Sequence, residues 1–279
     1  IKPVILCGGS GTRLFPGLKN FPSKQFIDFG GWNLFEKTLE RIKAKIFDSP
    51  IISTNKTYVN LVIKSLNKKK ISRYKIILEP SKKNTAAAII SASLLDEIKL
   101  NQPILFLPSD HLIQQNEIFN KALHLNIKNL NTKNIFIFGI KPKTPRSDYG
   151  YFLNKKTNQK INEVSNFIEK PKKILAIKLI KKRAFWNSGI VLANKESIIN
   201  NAKKYQKSMF SYCLKSITAM NQNKKTIKLN KKYFNKITPI SFDYAILEKV
   251  KKINSICLNI SWSDLGSWSE IFKILKEKN

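Results

Sequence analysis

Short apolar runs recur along the first half of the chain and alternate with segments of helical period. Residues 4–6, 51–53, 75–78, 104–107 and 135–140 have the length and β-branched content of buried strands. Between them, residues 33–45, 57–67, 85–99 and 118–130 carry the three- and four-residue spacing of helices. In the first of these, Leu34, Phe35, Leu39 and Ile42 share a face, and Asn33 followed by Glu36 reads as a helix start. Strand–helix alternation at this spacing predicts a mostly parallel sheet with helices on both faces.

After residue 145 the pattern changes. Tyr149-Gly150-Tyr151-Phe152 and Ser165-Asn166-Phe167-Ile168 flank a polar stretch, which predicts a hairpin. Residues 186–193 form a further strand candidate, and helical period returns over 172–182 and 197–219. No repeat, Gly/Ser/Pro-rich linker or low-complexity tract interrupts the chain, so a single domain over 1–279 is expected.

Composition narrows the class. With 279 residues and 42% hydrophobic content, the chain has ample core without staples. Cys7, Cys213 and Cys257 are odd in number, widely spaced and in apolar settings, which argues against a disulfide framework or a zinc site. No apolar run reaches ~18 residues and no signal peptide is legible, so a cytoplasmic protein is expected. The net charge of +33 suggests a polyanion partner. However, only five basic residues are Arg (13, 41, 73, 146 and 183), and the Lys runs are scattered alongside abundant Asn and Ile. That favours compositional drift over a nucleic-acid reader, which concentrates its cations and interleaves aromatics. No specific nucleic acid and no membrane partner is expected.

The densest chemistry follows the first strand, in Gly8-Gly9-Ser10-Gly11-Thr12-Arg13-Leu14-Phe15-Pro16 with Lys24-Gln25 beyond. Glycines past a strand let backbone N–H groups approach a phosphate chain, and Arg13 and Lys24 add cations. A nucleoside triphosphate is the first ligand to consider. The spacing is neither a P-loop nor a Rossmann fingerprint, since no Lys-Ser/Thr follows and Leu14 stands where a small residue is needed.

Four other stretches carry candidate groups. Pro108-Ser109-Asp110-His111 ends a strand, where ligands bind in open α/β sheets; Asp110 is placed to hold Mg²⁺, with His111 in a supporting role. Asp264, in Ser263-Asp264-Leu265-Gly266, also follows an apolar run and could meet Asp110 on one metal ion. Glu169-Lys170-Pro171 and Trp186-Asn187-Ser188-Gly189 offer a carboxylate, an ammonium and an amide to a sugar phosphate. Glu79 precedes Asn84-Thr85, which could cap a helix; its carboxylate suits the adjacent N1–H and amino donors of guanine.

In fixed order, these stretches resemble the bacterial-type mannose-1-phosphate guanylyltransferases among the sugar-1-phosphate nucleotidylyltransferases. The likeness covers 7–16, 24–26, 79–88, 108–113, 149–151, 167–171, 186–189, Ser241-Phe242-Asp243-Tyr244-Ala245 with Glu248-Lys249, and 262–268. It implies a Rossmann-like fold with an inserted hairpin, a nucleotide-binding half (1–145) and a sugar-phosphate-binding half (146–279). It further implies GTP plus mannose 1-phosphate giving GDP-mannose and pyrophosphate, with Mg²⁺ on Asp110 and Asp264. Gly8, Gly9, Gly11, Thr12, Arg13 and Lys24 would serve the triphosphate. Glu79, Asn84 and Thr85 would serve the guanine side, and Gly150, Glu169, Lys170 and Asn187 the sugar phosphate. Many members carry a further C-terminal β-rich or isomerase domain, which a sequence stopping at Asn279 does not include. Ser23, Lys83, Ala87 and Phe242 depart from the family pattern, three of them near the nucleotide. The residues leave the sugar epimer and the oligomeric state open, a homo-oligomer included. The rival readings are the same chemistry on another sugar 1-phosphate, or a silent basic anion-binding protein on this fold.

Overall fold

The computed structural model of the chain describes residues 1–9, 23–155, 161–267 and 270–272. Among these, the strands are β1 (Lys2–Cys7), β2 (Ile51–Asn55), β3 (Lys75–Glu79), β4 (Pro103–Pro108), β5 (Leu112–Ile113), β6 (Ile135–Ile140), β7 (Tyr151–Asn154), β8 (Asn162–Ile168), β9 (Phe185–Asn194), β10 (Asn221–Gln222), β11 (Thr226–Lys228), β12 (Ile253–Leu258) and β13 (Trp262–Ser263). The α-helices are α1 (Leu34–Arg41), α2 (Val59–Lys68), α3 (Asn84–Ser93), α4 (Asn116–Ile127), α5 (Lys173–Lys181), α6 (Lys195–Tyr205), α7 (Lys207–Thr218) and α8 (Lys231–Phe234).

Eleven strands form one sheet in the order β10-β11-β3-β2-β1-β4-β9-β6-β12-β8-β7, and β13 pairs with β5 beside it. The block β11-β3-β2-β1-β4 is parallel throughout, so its strands all point their carboxyl ends at one edge. Beyond β4 the pairing is mixed: β9 lies antiparallel to both β4 and β6, while β12 runs parallel to β6. The expected parallel sheet with helices on both faces is present, and its antiparallel pairs come with β9 and the hairpin. A helical crossover fixes the relative direction of the strands it joins, not the direction of one such set against another. The expected hairpin is present, with Tyr151 opposite Ile168 and Phe152 opposite Phe167. It reverses the chain, and β9 consequently enters against its neighbours.

Period-two alternation buries both faces of the sheet. Val4, Ile51, Ile77, Ile104 and Phe106 face α3, α6 and α7. Ile5, Cys7, Ile52, Ile76, Leu105 and Leu107 face α1, α2, α4 and α5. All three cysteines are free. None of the described helices is long and apolar enough to cross a membrane.

Helix starts followed the sequence better than helix ends. Asn33 caps α1, its Oδ1 accepting from the Glu36 N–H at 2.8 Å. The long helix expected over 197–219 is instead α6 and α7, broken at Gln206, which has φ −139° and ψ 50°. Its side-chain amide donates to the Ala245 carbonyl at 3.1 Å, a tertiary bond with no signature in the helical period. The expected segment 85–99 is helical only to Ser93 in α3.

Gly139 on β6 sits where an added Cβ would come within 2.5 Å of the Phe152 ring and 3.1 Å of Phe185 Cβ. Those two rings stack at 5.8 Å, joining the hairpin to the central strands. Gly139→Ala is expected to lower unfolding stability by about 1–3 kcal/mol through overpacking, read from urea denaturation midpoints. A change below about 0.5 kcal/mol would show that the ring pair gives way freely.

Candidate active site

The parallel block concentrates chain ends on one edge. Gly8 and Gly9 follow β1, Asn55 ends β2, Glu79 ends β3, and Ser109, Asp110 and His111 follow β4. All line one cleft of about 580 Å³, whose far wall is Gly189 and Val191 of β9 with Phe242 and Asp243. Gly11, Thr12 and Arg13 lie outside the described residues.

The strand-end loop holding Gly9 is tied down by the turn that carries Lys24. Ser23 Oγ lies 2.5 Å from the Gly9 carbonyl oxygen and 2.6 Å from Gln25 Oε1, and Gln25 Nε2 donates to the same carbonyl at 3.2 Å. Ser23, a departure from the family pattern, thus forms part of the anchor.

Lys24 is buried, and its ammonium lies 2.7 Å from Asp110 Oδ2 while donating to the Asp264 backbone carbonyl. The three residues meet although the sequence scatters them. Burial alone would push the Asp110 carboxyl up, but Lys24 and then His111 outweigh it and hold it at about 2. Its side chain is a third exposed towards the cleft. Asp264 is buried, and its carboxylate accepts from the Tyr149 hydroxyl and the Gly266 N–H. Burial, and then Asp264, pushes the Tyr149 phenol well above its ordinary range, so it stays a donor. His111 Nε2 is 3.6 Å from Asp110 Oδ1, and burial lowers its pKa, so it stands neutral.

No group of three or more His, Cys, Asp or Glu among the described residues is arranged to hold a metal. Lys24 instead draws the Asp110 carboxylate and the Asp264 backbone carbonyl together, which brings two Asp residues to one place. That donor set fits Mg²⁺, which takes one or two carboxylates and completes its shell with water and phosphate oxygens.

Glu79 is buried, and its Oε1 accepts from Ser53 Oγ at 2.7 Å. Burial, opposed by Ser53, pushes its carboxyl up to about 7. Asn84 and Thr85 differ from the expected caps. Asn84 is the first residue of α3 with φ +65°, its Oδ1 accepting from the Thr85 N–H; Lys83 stands at the cap and makes no side-chain cap bond. Thr85 Oγ1 instead accepts from the Phe242 N–H at 2.9 Å.

The remaining candidates converge at the β7–β9 end. Gly150 accepts through its carbonyl from the Asn187 N–H at 2.8 Å. A Cβ on Gly150 would fall 2.5 Å from Glu169 Oε2, so glycine lets that carboxylate approach. Lys170 is half exposed, 3.6 Å from Glu169 Oε1, and held at φ +49°. Asn187 is less available than its sequence context suggested. Its Nδ2 donates to Asp243 Oδ1 at 2.8 Å, and its Oδ1 accepts from the Gly189 N–H at 3.2 Å. Ser23, Gln25, Tyr149 and Asp243 had been given no role from the sequence. All but Ser23 fall in stretches that carry the resemblance, and that position was the only signal.

The Nucleotidyl transferase family matches residues 2–279. The chain belongs to that family. It is 32% identical over 98% of its length to the alginate biosynthesis protein AlgA of Pseudomonas fluorescens, covering 58% of that protein. It is 31% identical over 99% of its length to a mannose-1-phosphate guanylyltransferase of Escherichia coli, covering 61% of that protein. The chain thus spans about three fifths of these curated relatives. Among solved structures, one titled mannose-1-phosphate geranyltransferase, from Thermus thermophilus, superposes with a TM-score of 0.81 at 21% identity. That match covers 97% of this chain and 78% of the other. One titled mannose-6-phosphate isomerase, from Helicobacter pylori, gives 0.81 at 25% identity, covering 94% and 98%. The mixed α/β fold is shared with both of these solved structures.

Lys24→Met leaves the Asp110 carboxylate without its main counter-charge. Asp110's depressed pKa contributes stability that is present above its ordinary 3.8 and lost as the pH falls towards about 2. The variant is expected to be less stable at pH 7 by about 1–2 kcal/mol, below the cost of breaking a fully buried pair because Asp110 meets solvent. The gap should narrow on acidification, as followed by urea unfolding at a series of pH values. A pH-independent difference would show that the loss lies in packing.

Proposed function

We propose that the chain transfers a guanylyl group from GTP to mannose 1-phosphate, releasing pyrophosphate and forming GDP-mannose. The observation that carries the reading is a single cleft lined by Glu79, Asp110 and Asp243, with Lys24 paired to Asp110 and Asn187 bonded to Asp243. The names of its curated relatives point the same way.

In this reading a phosphate oxygen of mannose 1-phosphate attacks the α-phosphorus of GTP in line. One P–O bond forms there as the bond to the β-phosphate bridging oxygen breaks, and pyrophosphate leaves with the electron pair. The nucleophile is already anionic, so no protein base is needed, consistent with a neutral His111. The work of the protein is positioning and charge neutralisation. Asp110 and Asp264 would hold Mg²⁺, which when bound neutralises charge on the triphosphate. Lys24 and Arg13 add fixed cations, and Gly8 and Gly9, with Gly11 and Thr12, bring backbone N–H groups to the phosphates. Glu79 accepts the two adjacent donors of guanine, while Asn84 and Thr85 shape that end. Lys170 takes the sugar phosphate, and Glu169 takes sugar hydroxyls beside Gly150. Cytoplasmic work on soluble substrates fits this chemistry. The same chemistry on another sugar 1-phosphate is the second reading, because the sugar end is built from hydroxyl acceptors rather than a shape-limited apolar pocket.

Pyrophosphate release from a panel of nucleoside triphosphates and sugar 1-phosphates tests the assignment. GTP with mannose 1-phosphate is expected to give the highest kcat/KM, and equal values for ATP and GTP would sink the guanine reading. Only an ionised Glu79 accepts both guanine donors, and its carboxyl lies near 7. The preference for GTP over ATP should therefore rise with pH from 6 to 8, by up to about tenfold. Glu79→Gln should flatten that rise.

Lys170→Ala is expected to raise the KM for mannose 1-phosphate by roughly 10- to 100-fold while the KM for GTP moves far less. The reverse pattern would place this ammonium on the nucleotide.

A further inference from the structure

Asp243 belongs to a stretch with no assigned role, and the fold places it with care. It opens a one-turn π-helix, Asp243–Leu247, a local widening that in proteins recurs at functional sites. The residue before it is pinned to the nucleotide end, through the Phe242 N–H and Thr85 Oγ1. Its own Oδ1 is fixed from the other side by the Asn187 amide at 2.8 Å. Asn187 in turn is locked between the Gly150 carbonyl and the Gly189 N–H. Asp243 is thus oriented by both ends of the cleft and lines its wall.

We infer that Asp243 is a specificity-determining residue that reads a hydroxyl group of the sugar, working beside Glu169. The inference rests on the guanylyl-transfer reading above. A carboxylate is acceptor-only, with about four lone-pair sites on two oxygens, so one amide from Asn187 leaves it acceptor capacity. The partner it can take is a donor. A phosphate has none to give, whereas each sugar hydroxyl donates one hydrogen. The charges around it divide the labour the same way. Glu248 adds negative charge beside both Glu169 and Asp243, and Lys170 is the cation that these two acids face. Burial first, and then Asp243, pushes the Glu169 carboxyl up. Hydroxyl donors relieve that crowding without adding charge, while the phosphate goes to Lys170. Asn187 becomes a positioning residue that holds the Asp243 carboxylate rather than a direct reader of the sugar.

A coupling experiment decides. The unmodified chain and Asp243→Asn are assayed with the sugar 1-phosphate that the former uses best and with its set of single-deoxy analogues. Both KM values and kcat are measured. The variant is expected to raise the KM for the sugar phosphate by roughly 10- to 100-fold and to leave the KM for GTP within about twofold. Removing one particular hydroxyl should cost the unmodified chain heavily and cost the variant almost nothing further, because the interaction is already gone. Asp243→Ala, which removes both acceptor oxygens, serves as a second variant should the first fold poorly, and the same coupling is expected. Penalties that multiply independently for every deoxy analogue would overturn the inference while leaving the guanylyl-transfer reading intact. So would a loss that falls equally on both substrates. Absence of turnover by the unmodified chain with every sugar 1-phosphate would overturn both.

Discussion

A single buried ammonium organises this protein. Lys24 joins the carboxylate of Asp110 to the backbone of Asp264, a residue 240 positions away. The buried Lys24 ammonium is costly without a counter-charge, so its contacts constrain three chain segments together. The turn bearing Lys24 also carries Ser23 and Gln25, which fix the Gly9 carbonyl. The last segment carries Leu265, which packs with Phe29, Trp32, Leu34, Leu112 and Ile271 in a small separate core. One electrostatic contact thereby ties the floor of the cleft together.

Around that floor the backbone is held in unfavourable conformations. Asn84, Lys170 and Leu265 have φ values of +65°, +49° and +45°. The left-handed region costs L-residues free energy and persists only where the surroundings fix it. Of their neighbours, Thr85 lines the cleft, Glu169 packs against Gly150 and Asp264 meets Lys24. Strain of this kind fits a site whose chemistry depends on positioned charges rather than on a reactive side chain.

Much of the site was legible because strand ends are legible. An apolar run followed by Gly, Asp or Glu marks the carboxyl edge of a parallel sheet, and Gly8, Glu79 and Asp110 all lie there. Glu169 and Lys170 follow β8, and Asn187 lies on β9. Other contributions carried no local mark. Asp243 lies on a turn of π-helix whose partners are Asn187 and, through Phe242, Thr85. Only the fold shows that the Asn187 amide donates to Asp243.

The sequence by itself determined the alternation of buried strands and amphipathic helices, and with it two covered faces and a glycine-edged cleft. These follow from periodicity, which is a property of neighbouring residues. Tertiary structure alone decided the direction of β9, the break between α6 and α7, and the meeting of Lys24, Asp110 and Asp264. Those depend on pairings between residues far apart in the chain. Strand direction across β4, β9 and β6 follows from a reversal at the hairpin, and the ion pair forms only once burial makes an unpaired charge too costly.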